Sequence, residues 1–260
     1  MRKNSSGLSL SLPISSVRYS FKLFCRAERL LGRVNFNLRE KLIVRNRTEE
    51  TEIQSNSQSE TYQDFFAYQM GECSGLNTYL EIGAGHPRLG SNTYLLESHG
   101  WHGISVEIDP ELVALFQSER KNKIHLADAI DFDYLNSLKG IAREGCVGYL
   151  QIDIDPSIQS LRTLMNIPFD SYKFASITFE HDVYRSSRKI RKEQRRYLQS
   201  FGYFLLAKDV RFNAIFSYED WWVHPDLVDL TQLANFKSSH THPFKMKWVV
   251  LTKKTIRRKT

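Results

Sequence analysis

The sequence predicts an α/β fold: a doubly wound, mostly parallel sheet preceded by a basic helical N-terminal extension. Short apolar runs alternate with helical patterns from about residue 58 to 253, and the first of these runs ends in a Gly-x-Gly turn. The composition, 41% hydrophobic and 25% charged over 260 residues, is that of an ordinary globular chain. At roughly 100–200 residues per domain this is one domain with an appendage. No apolar run approaches the roughly 18–20 residues that cross a bilayer.

Taken in order, the first element is the extension. Its first 27 residues contain no Asp or Glu and are Ser-rich from Ser5 to Ser20. Val17, Phe21, Phe24, Leu30, Leu31 and Val34 follow helical spacing with Arg and Lys between them, the pattern of a basic amphipathic helix. Up to Arg47, eleven Lys and Arg stand against Glu28 and Glu40, which more than accounts for the formal +7 of the whole chain. Such a segment docks on its own domain, a protein partner or a membrane surface, or serves as an organellar transit peptide. A cytoplasmic location is expected, with an organellar or peripheral-membrane one as the alternative. The polar stretch Glu49–Glu60 reads as a linker, so residues 1–57 form extension and linker, 58–253 the domain, and 254–260 a basic tail. Cys25, Cys73 and Cys146 lie too far apart to read as a zinc pair or disulfide framework.

Seven runs read as strands: Tyr79–Gly83, Gly103–Glu107, Lys123–Leu126, Val147–Asp153, Phe174–Glu180, Tyr203–Lys208 and Met246–Thr252. Between them Asp109 is placed to cap a helix with Pro110 at its first position and Leu112, Leu115 and Phe116 on one face. Pro156 and Ser157 open another, in which Leu161, Leu164 and Met165 repeat. The strongly basic run Arg185–Arg196 passes into the apolar face of Tyr197–Phe201; it reads as a solvated helix face or as an anion-binding surface. Phe216–Pro225, rich in aromatics, reads as a loop after the sixth strand.

The most informative segment is Tyr79-Leu80-Glu81-Ile82-Gly83-Ala84-Gly85, a strand ending in two glycines that let a ligand approach the main chain. The next strand ends in Glu107, roughly 20 residues on, where a carboxylate can accept both ribose hydroxyls. A nucleoside-bearing ligand follows. The dinucleotide fingerprint requires a small third residue where this chain has Arg88, and Glu81 would repel a diphosphate while attracting a cation. A cationic nucleoside cofactor without phosphates is S-adenosylmethionine. Plain alternatives stay open: a tight turn for Gly83 and Gly85, a solvated strand end for Glu107, a helix cap for Asp128.

Tyr79–Gly85 followed by Glu107 resembles the first motif and second-strand acid of class I S-adenosylmethionine-dependent methyltransferases. More narrowly, the chain resembles the FkbM-like methyltransferases through Leu80–Gly85, Ser91–Glu97, Gly100–Gly103, Tyr149–Asp155 and Phe179–His181. His86-Pro87 and the basic extension depart from that pattern. The resemblance implies a Rossmann-like seven-stranded sheet whose last strand is antiparallel, and O-methylation of a hydroxyl on a carbohydrate or related small molecule. It places Glu81, Gly83 and Gly85 at the methionine part of the cofactor, Glu107 at the ribose and Asp128 at the adenine, with Asn92 and Ala129 completing the set.

An alcohol acceptor must lose a proton, and candidate bases cluster at the ends of the fourth and fifth strands: Asp153, Glu180 and His181. Alternation puts Asp153 and Asp155 on one side if the strand continues that far. Asp155 is accordingly read as substrate-binding, or else as a helix cap. Trp221 and Trp222 offer faces on which a sugar ring stacks, or fill the core. No metal is assigned; a hard-cation site on Asp153 and Asp155 is the minor reading. The rival functions are a nucleic-acid methyltransferase and a non-catalytic or NAD-dependent nucleotide-binding domain. Nucleic acid is the less expected partner, because the domain without its extension carries no positive excess.

Overall fold

The computed structural model describes residues 52–211, 217–230 and 233. The predicted helix over 17–34, the strand at 246–252 and the basic tail lie outside them. Within the described residues the order is α1 (Gln63–Ser74), β1 (Thr78–Ile82), α2 (Tyr94–Ser98), β2 (His102–Glu107), α3 (Pro110–Glu119), β3 (Lys123–Leu126), α4 (Tyr134–Leu138), β4 (Cys146–Ile152), α5 (Ser157–Asn166), β5 (Lys173–Glu180), α6 (Arg188–Ser200), β6 (Phe204–Arg211) and β7 (Ser217–Val223).

The seven strands form one sheet in the order β3-β2-β1-β4-β5-β7-β6. β1 to β5 pair in parallel, while β7 inserts antiparallel between β5 and β6. The doubly wound sheet is therefore as expected, and one element is corrected. Residues 217–223 are a strand and not a loop, because Ser217–Val223 alternates between two buried faces. The second half of the polar stretch is tied to the domain: Ser57 and Ser59 hydroxyls donate to Asp64 Oδ1 at 2.5 and 2.6 Å, and Thr61 Oγ1 donates to Glu219 Oε1 at 2.8 Å.

The helices form where their caps predict. Asp109 accepts the amides of Glu111 and Leu112 ahead of Pro110, and Val113 with Phe116 turns inward while Leu112 and Leu115 are half-buried. In α5 Leu161 and Leu164 are buried but Met165 points outward. One side of the sheet packs Leu80, Ile82, Leu150, Ile152, Ile177, Phe179 and Trp222 against α4, α5 and α6. On the other side Ala67, Phe66 and Met70 of α1 cover Tyr79, Tyr149, Trp101 and Trp221.

The loop after β1 is held from beneath by a buried guanidinium. Arg120, at the end of α3, donates to Glu97 Oε2 at 2.9 Å, to the Pro87 carbonyl at 2.9 Å and to Thr93 Oγ1 at 3.0 Å, and reaches Tyr79 Oη at 3.3 Å. Removing one partner of a buried ion pair leaves the other charge unmatched, typically at a cost of about 3–5 kcal/mol. Arg120→Met is expected to lower stability by about that amount in urea denaturation. A loss within experimental error would show that the loop is held by other means.

Candidate functional site

Strand register builds the site. Ser105, Glu81, Gln151, Thr178 and Trp221 pair across five neighbouring strands and so share one face of the sheet. Two residues toward the carboxyl ends lies the next row: Glu107, Gly83, Asp153, Glu180 and Glu219. Glu180 pairs directly with Glu219. The amide of Gly83 donates to the Val106 carbonyl, and that of Asp153 to the Ile82 carbonyl, each at 3.0 Å, which continues the parallel ladder one residue past β1. Four acids thus stand in line with a glycine between them.

Only glycine fits that gap. Gly83 has φ +77°, and a Cβ there would lie 1.8 Å from the Asp153 carbonyl oxygen. Gly85, at φ +59°, faces open space on its Cβ side and donates its amide to Glu107 Oε2 at 2.9 Å. Glu107 Oε1 accepts the amides of Ile108 at 2.8 Å and Asp109 at 3.0 Å. The acid that ends β2 therefore shapes the turn.

The acids of the row are crowded out of water. Burial is the main force raising the Asp153 carboxyl, with the charges of Asp182, Asp155 and Glu60 adding to it and a bond from Glu180 opposing it. Glu180 is raised further, by burial first and then by the Asp153 charge and its contacts with the Asp153 and Asp182 carboxyls. The two groups titrate as one pair, both raised. Burial pushes Glu219 up to about 8, against hydrogen bonds from Trp221 and Thr61. Glu81, below the row, is also raised by burial; Ser105 Oγ donates to it at 2.6 Å.

The remaining sequence-derived residues scatter around this row. Asn92 lies in the loop before α2, its buried Oδ1 without a hydrogen-bond partner. Asp128 is exposed and accepts the Ile130 amide at 2.9 Å, a turn-capping contact. Ala129 has its side chain in the core. Asp155 stands 75% exposed at the rim, 3.8 Å from Arg185, because β4 ends at Ile152 and the alternation lapses.

Three expectations are corrected. His181 is 0% exposed and turned away from the row. Its Nδ1 accepts the Val183 amide, so the proton sits on Nε2, 3.7 Å from Asp220 Oδ1, and no acceptor hydroxyl can reach it. Trp222 lies in the core at 0% exposure. Trp221 is buried as well, stacked on Phe66 at 4.6 Å with its Nε1 donating to Glu219 at 2.7 Å. Neither indole forms an acceptor lip.

His181, Asp209 and Asp220 are the only group among the described residues whose ligand atoms gather within 4.8 Å. That space is already filled. Arg195 donates to both Asp220 oxygens at 2.7 Å, Gln194 Nε2 donates to Oδ2, and Arg191 donates to Asp209 at 2.6 Å. Against the upward push of burial, Arg195 and His181 hold Asp220 down at about 2. Two basic residues of the Arg185–Arg196 run are thus spent inward, and Arg188, Lys189, Lys192 and Arg196 face solvent.

Sequence reasoning missed Glu219, Asp182 and Ile108. Glu219 was hidden by reading its strand as a loop. Ile108 follows Glu107 and is 64% exposed, an apolar side chain open at the carboxyl end of β2. Asp182, at φ +47°, places its carboxyl against Glu180. An open groove of about 460 Å³ beside Gly103, Lys123 and Gly140 lies at the opposite, amino ends of β2 and β3.

No protein-family model matches the chain and no curated protein matches it. Among solved structures, it is similar to an O-methyltransferase from Bacillus cereus in complex with SAH, at 13% identity over 74% of this chain and 93% of that one, with a TM-score of 0.48. It is also similar to magnesium protoporphyrin IX methyltransferase from Synechocystis PCC 6803 with bound SAM, at 14% identity over 84% and 100%, TM-score 0.44. A putative RNA methyltransferase from Pyrococcus horikoshii aligns at 15% identity over 64% and 83%, TM-score 0.42. Likenesses this distant assign no activity. No helix among the described residues is long and apolar enough to cross a membrane.

The raised carboxyls couple folding to pH. A buried acid with a raised pKa contributes stability that is fully present below the unfolded value, about 4.3 for Glu, and is lost as pH rises through the folded value. For Glu219 that window runs from about 4 to about 8. Glu219→Gln keeps an oxygen for Thr61 and Trp221 but cannot ionise. Its melting temperature relative to the unaltered protein is expected to climb between pH 5 and pH 9; a constant difference would mean that Glu219 does not titrate there.

Proposed function

We propose that this protein transfers a methyl group from S-adenosylmethionine to a hydroxyl of a carbohydrate or related small molecule. The observation that carries this reading is the row Glu107–Gly83–Asp153–Glu180–Glu219. It sets an open glycine turn for the backbone of a nucleoside cofactor beside carboxyls that favour a positive charge and no diphosphate. The residues fit such a group: Gly85 opens onto free space, Asn92 Oδ1 is an acceptor without a donor, and Ile108 exposes an apolar face next to Glu107. The FkbM-like resemblance of Leu80–Gly85, Tyr149–Asp155 and Phe179–Glu180 favours a hydroxyl acceptor.

Gly83, Gly85 and Asn92 would hold the amino-acid part, Glu107 the ribose, and Ile108 with the Asp128–Ala129 turn the base. The cofactor supplies an electrophilic methyl carbon on a sulfonium. Asp153 does the acid–base work: raised toward neutrality, its carboxylate is ionised near pH 7 yet basic enough to take the acceptor's hydroxyl proton as the new C–O bond forms. Glu180 supports it by keeping a proton of its own, which leaves the pair one charge instead of two. The turn and the row fix the line along which the hydroxyl oxygen approaches, and that alignment is the larger part of catalysis.

Calorimetric titration with SAH and with NADH tests the cofactor reading. SAH is expected to bind and NADH not to. Ile108→Ala, which removes an exposed side chain, is expected to weaken SAH about fivefold, the loss of about 1 kcal/mol of apolar contact, without changing the melting temperature. NADH binding without SAH binding overturns the proposal. The acceptor follows from mass spectrometry of metabolite and glycan extracts made with and without the protein, read for a shift of one methyl unit.

A further inference from the structure

We infer that the face formed by α5 and α6 docks on an anionic lipid bilayer. The inference does not depend on the cofactor or the acceptor proposed above.

Charge that the fold leaves unanswered leads to it. α5 and α6 follow the parallel strands β4 and β5, pack side by side, and join where Tyr197 Oη donates to the Met165 carbonyl at 3.4 Å. Arg191 and Arg195 turn inward to Asp209 and Asp220. Arg188, Lys192 and Arg196 are exposed at every fourth position, about 6 Å apart along the helix. They have no ion-pair partner among the described residues, and like charges at that spacing repel one another. The one acid of the two helices, half-buried Glu193, lies 3.7 Å from Lys189. Arg162 of α5 is exposed too and meets only Gln159, at 3.1 Å. Arg162, Arg188, Lys192 and Arg196 thus present uncompensated charge on a domain that carries no positive excess as a whole.

The side chains among the cations select the partner. Ile158 and Met165 flank Arg162 on one stripe of α5, 41% and 47% exposed. An anionic bilayer uses both features, since Lys and Arg reach its headgroups while apolar side chains enter the acyl boundary. A nucleic-acid strand asks for stacking rings between the cations. The one aromatic residue of the two helices, Tyr197, is half-buried, edge-on to Phe169. Before Arg47 the sequence holds a second segment of the same kind, with eleven Lys and Arg among apolar residues at helical spacing. Exposed Asp155 and Asp170 bracket α5 and bound the attractive region. Both helices begin at the carboxyl ends of their strands, so a bilayer against them meets the protein beside the crevice.

The test is co-sedimentation of the full-length protein with phosphatidylcholine vesicles, with and without roughly one-third phosphatidylserine, and fluorescence anisotropy with single-stranded polyuridylate as the rival polyanion. Only the anionic vesicles are expected to bind, less tightly as salt rises. Each Lys or Arg near such a surface is worth about fivefold, so Arg188→Gln, Lys192→Gln and Arg196→Gln together are expected to weaken binding about a hundredfold. Ile158→Ser with Met165→Ser is expected to weaken vesicle binding about tenfold and to leave any polyuridylate binding as it was. These side chains are exposed, so the melting temperature is expected to hold. Should the triple variant melt lower, Lys192→Gln alone, expected about fivefold weaker, takes its place. Vesicle binding undiminished in the triple variant would assign the bilayer to residues 1–47 and overturn the inference. So would no binding to anionic vesicles, binding undiminished in the Ile158–Met165 variant, or polyuridylate held more tightly than vesicles by the same cations.

Discussion

The register of the strands at their carboxyl edge is the constraint on which the rest depends. Parallel pairing of β1 with β2 and β4, and antiparallel pairing of β5 with β7, bring Glu107, Gly83, Asp153, Glu180 and Glu219 into line. A slip of one residue in β2, β4 or β5 would turn its acid to the opposite face of the sheet. Gly83 is what allows the line to close, since any side chain there collides with the Asp153 carbonyl. Arg120 then fixes the loop that leaves the glycine turn, through Pro87, Thr93 and Glu97.

β7 ties this edge to the rest of the domain. Its alternation sends Glu219 and Trp221 toward α1 and the crevice, and Asp220 and Trp222 toward α6 and the larger core. The two consecutive acids meet opposite fates. Asp220, embraced by Arg195, Gln194 and the Asp209 amide, is fully compensated and ionised. Glu219, given a hydroxyl, an indole N–H and the Gln63 amide but no cation, is driven toward its neutral form. The first is a structural ion network and the second belongs to a crowded acidic crevice. Crowded acids destabilise the fold as they ionise, and they are the groups that a bound cation would relieve.

Much of this was legible in the sequence, for identifiable reasons. The first five strands are short apolar runs bounded by turn signals, and a parallel sheet places the ends of such runs at one edge, so Gly83, Glu107, Asp153 and Glu180 could be assigned to the crevice from pattern alone. Asp109-Pro110 announced α3 through cap chemistry. What failed did so for lack of register. Phe216–Pro225 carries Glu219-Asp220 in its middle, and charged residues in an aromatic run resemble a loop until both acids are seen to be buried between neighbours. His181 follows Glu180 directly, yet the chain turns at that point and sends the imidazole into the α6 network. The partial neutralisation of the Arg185–Arg196 run was invisible for the same reason, since the acids that pair with Arg191 and Arg195 come from β6 and β7. Glu60 and the Ser57–Ser59 turn lay in a stretch whose composition spoke only of a linker, although Asp64 binds its end to α1.

The most direct test is a crystal structure of the protein soaked with SAH. The account requires continuous density along the Gly83–Gly85 turn, with both ribose hydroxyls on Glu107 and the sulfur within reach of the oxygen face of Asp153. Density lodged elsewhere, or an undisturbed crevice at saturating SAH, would contradict it.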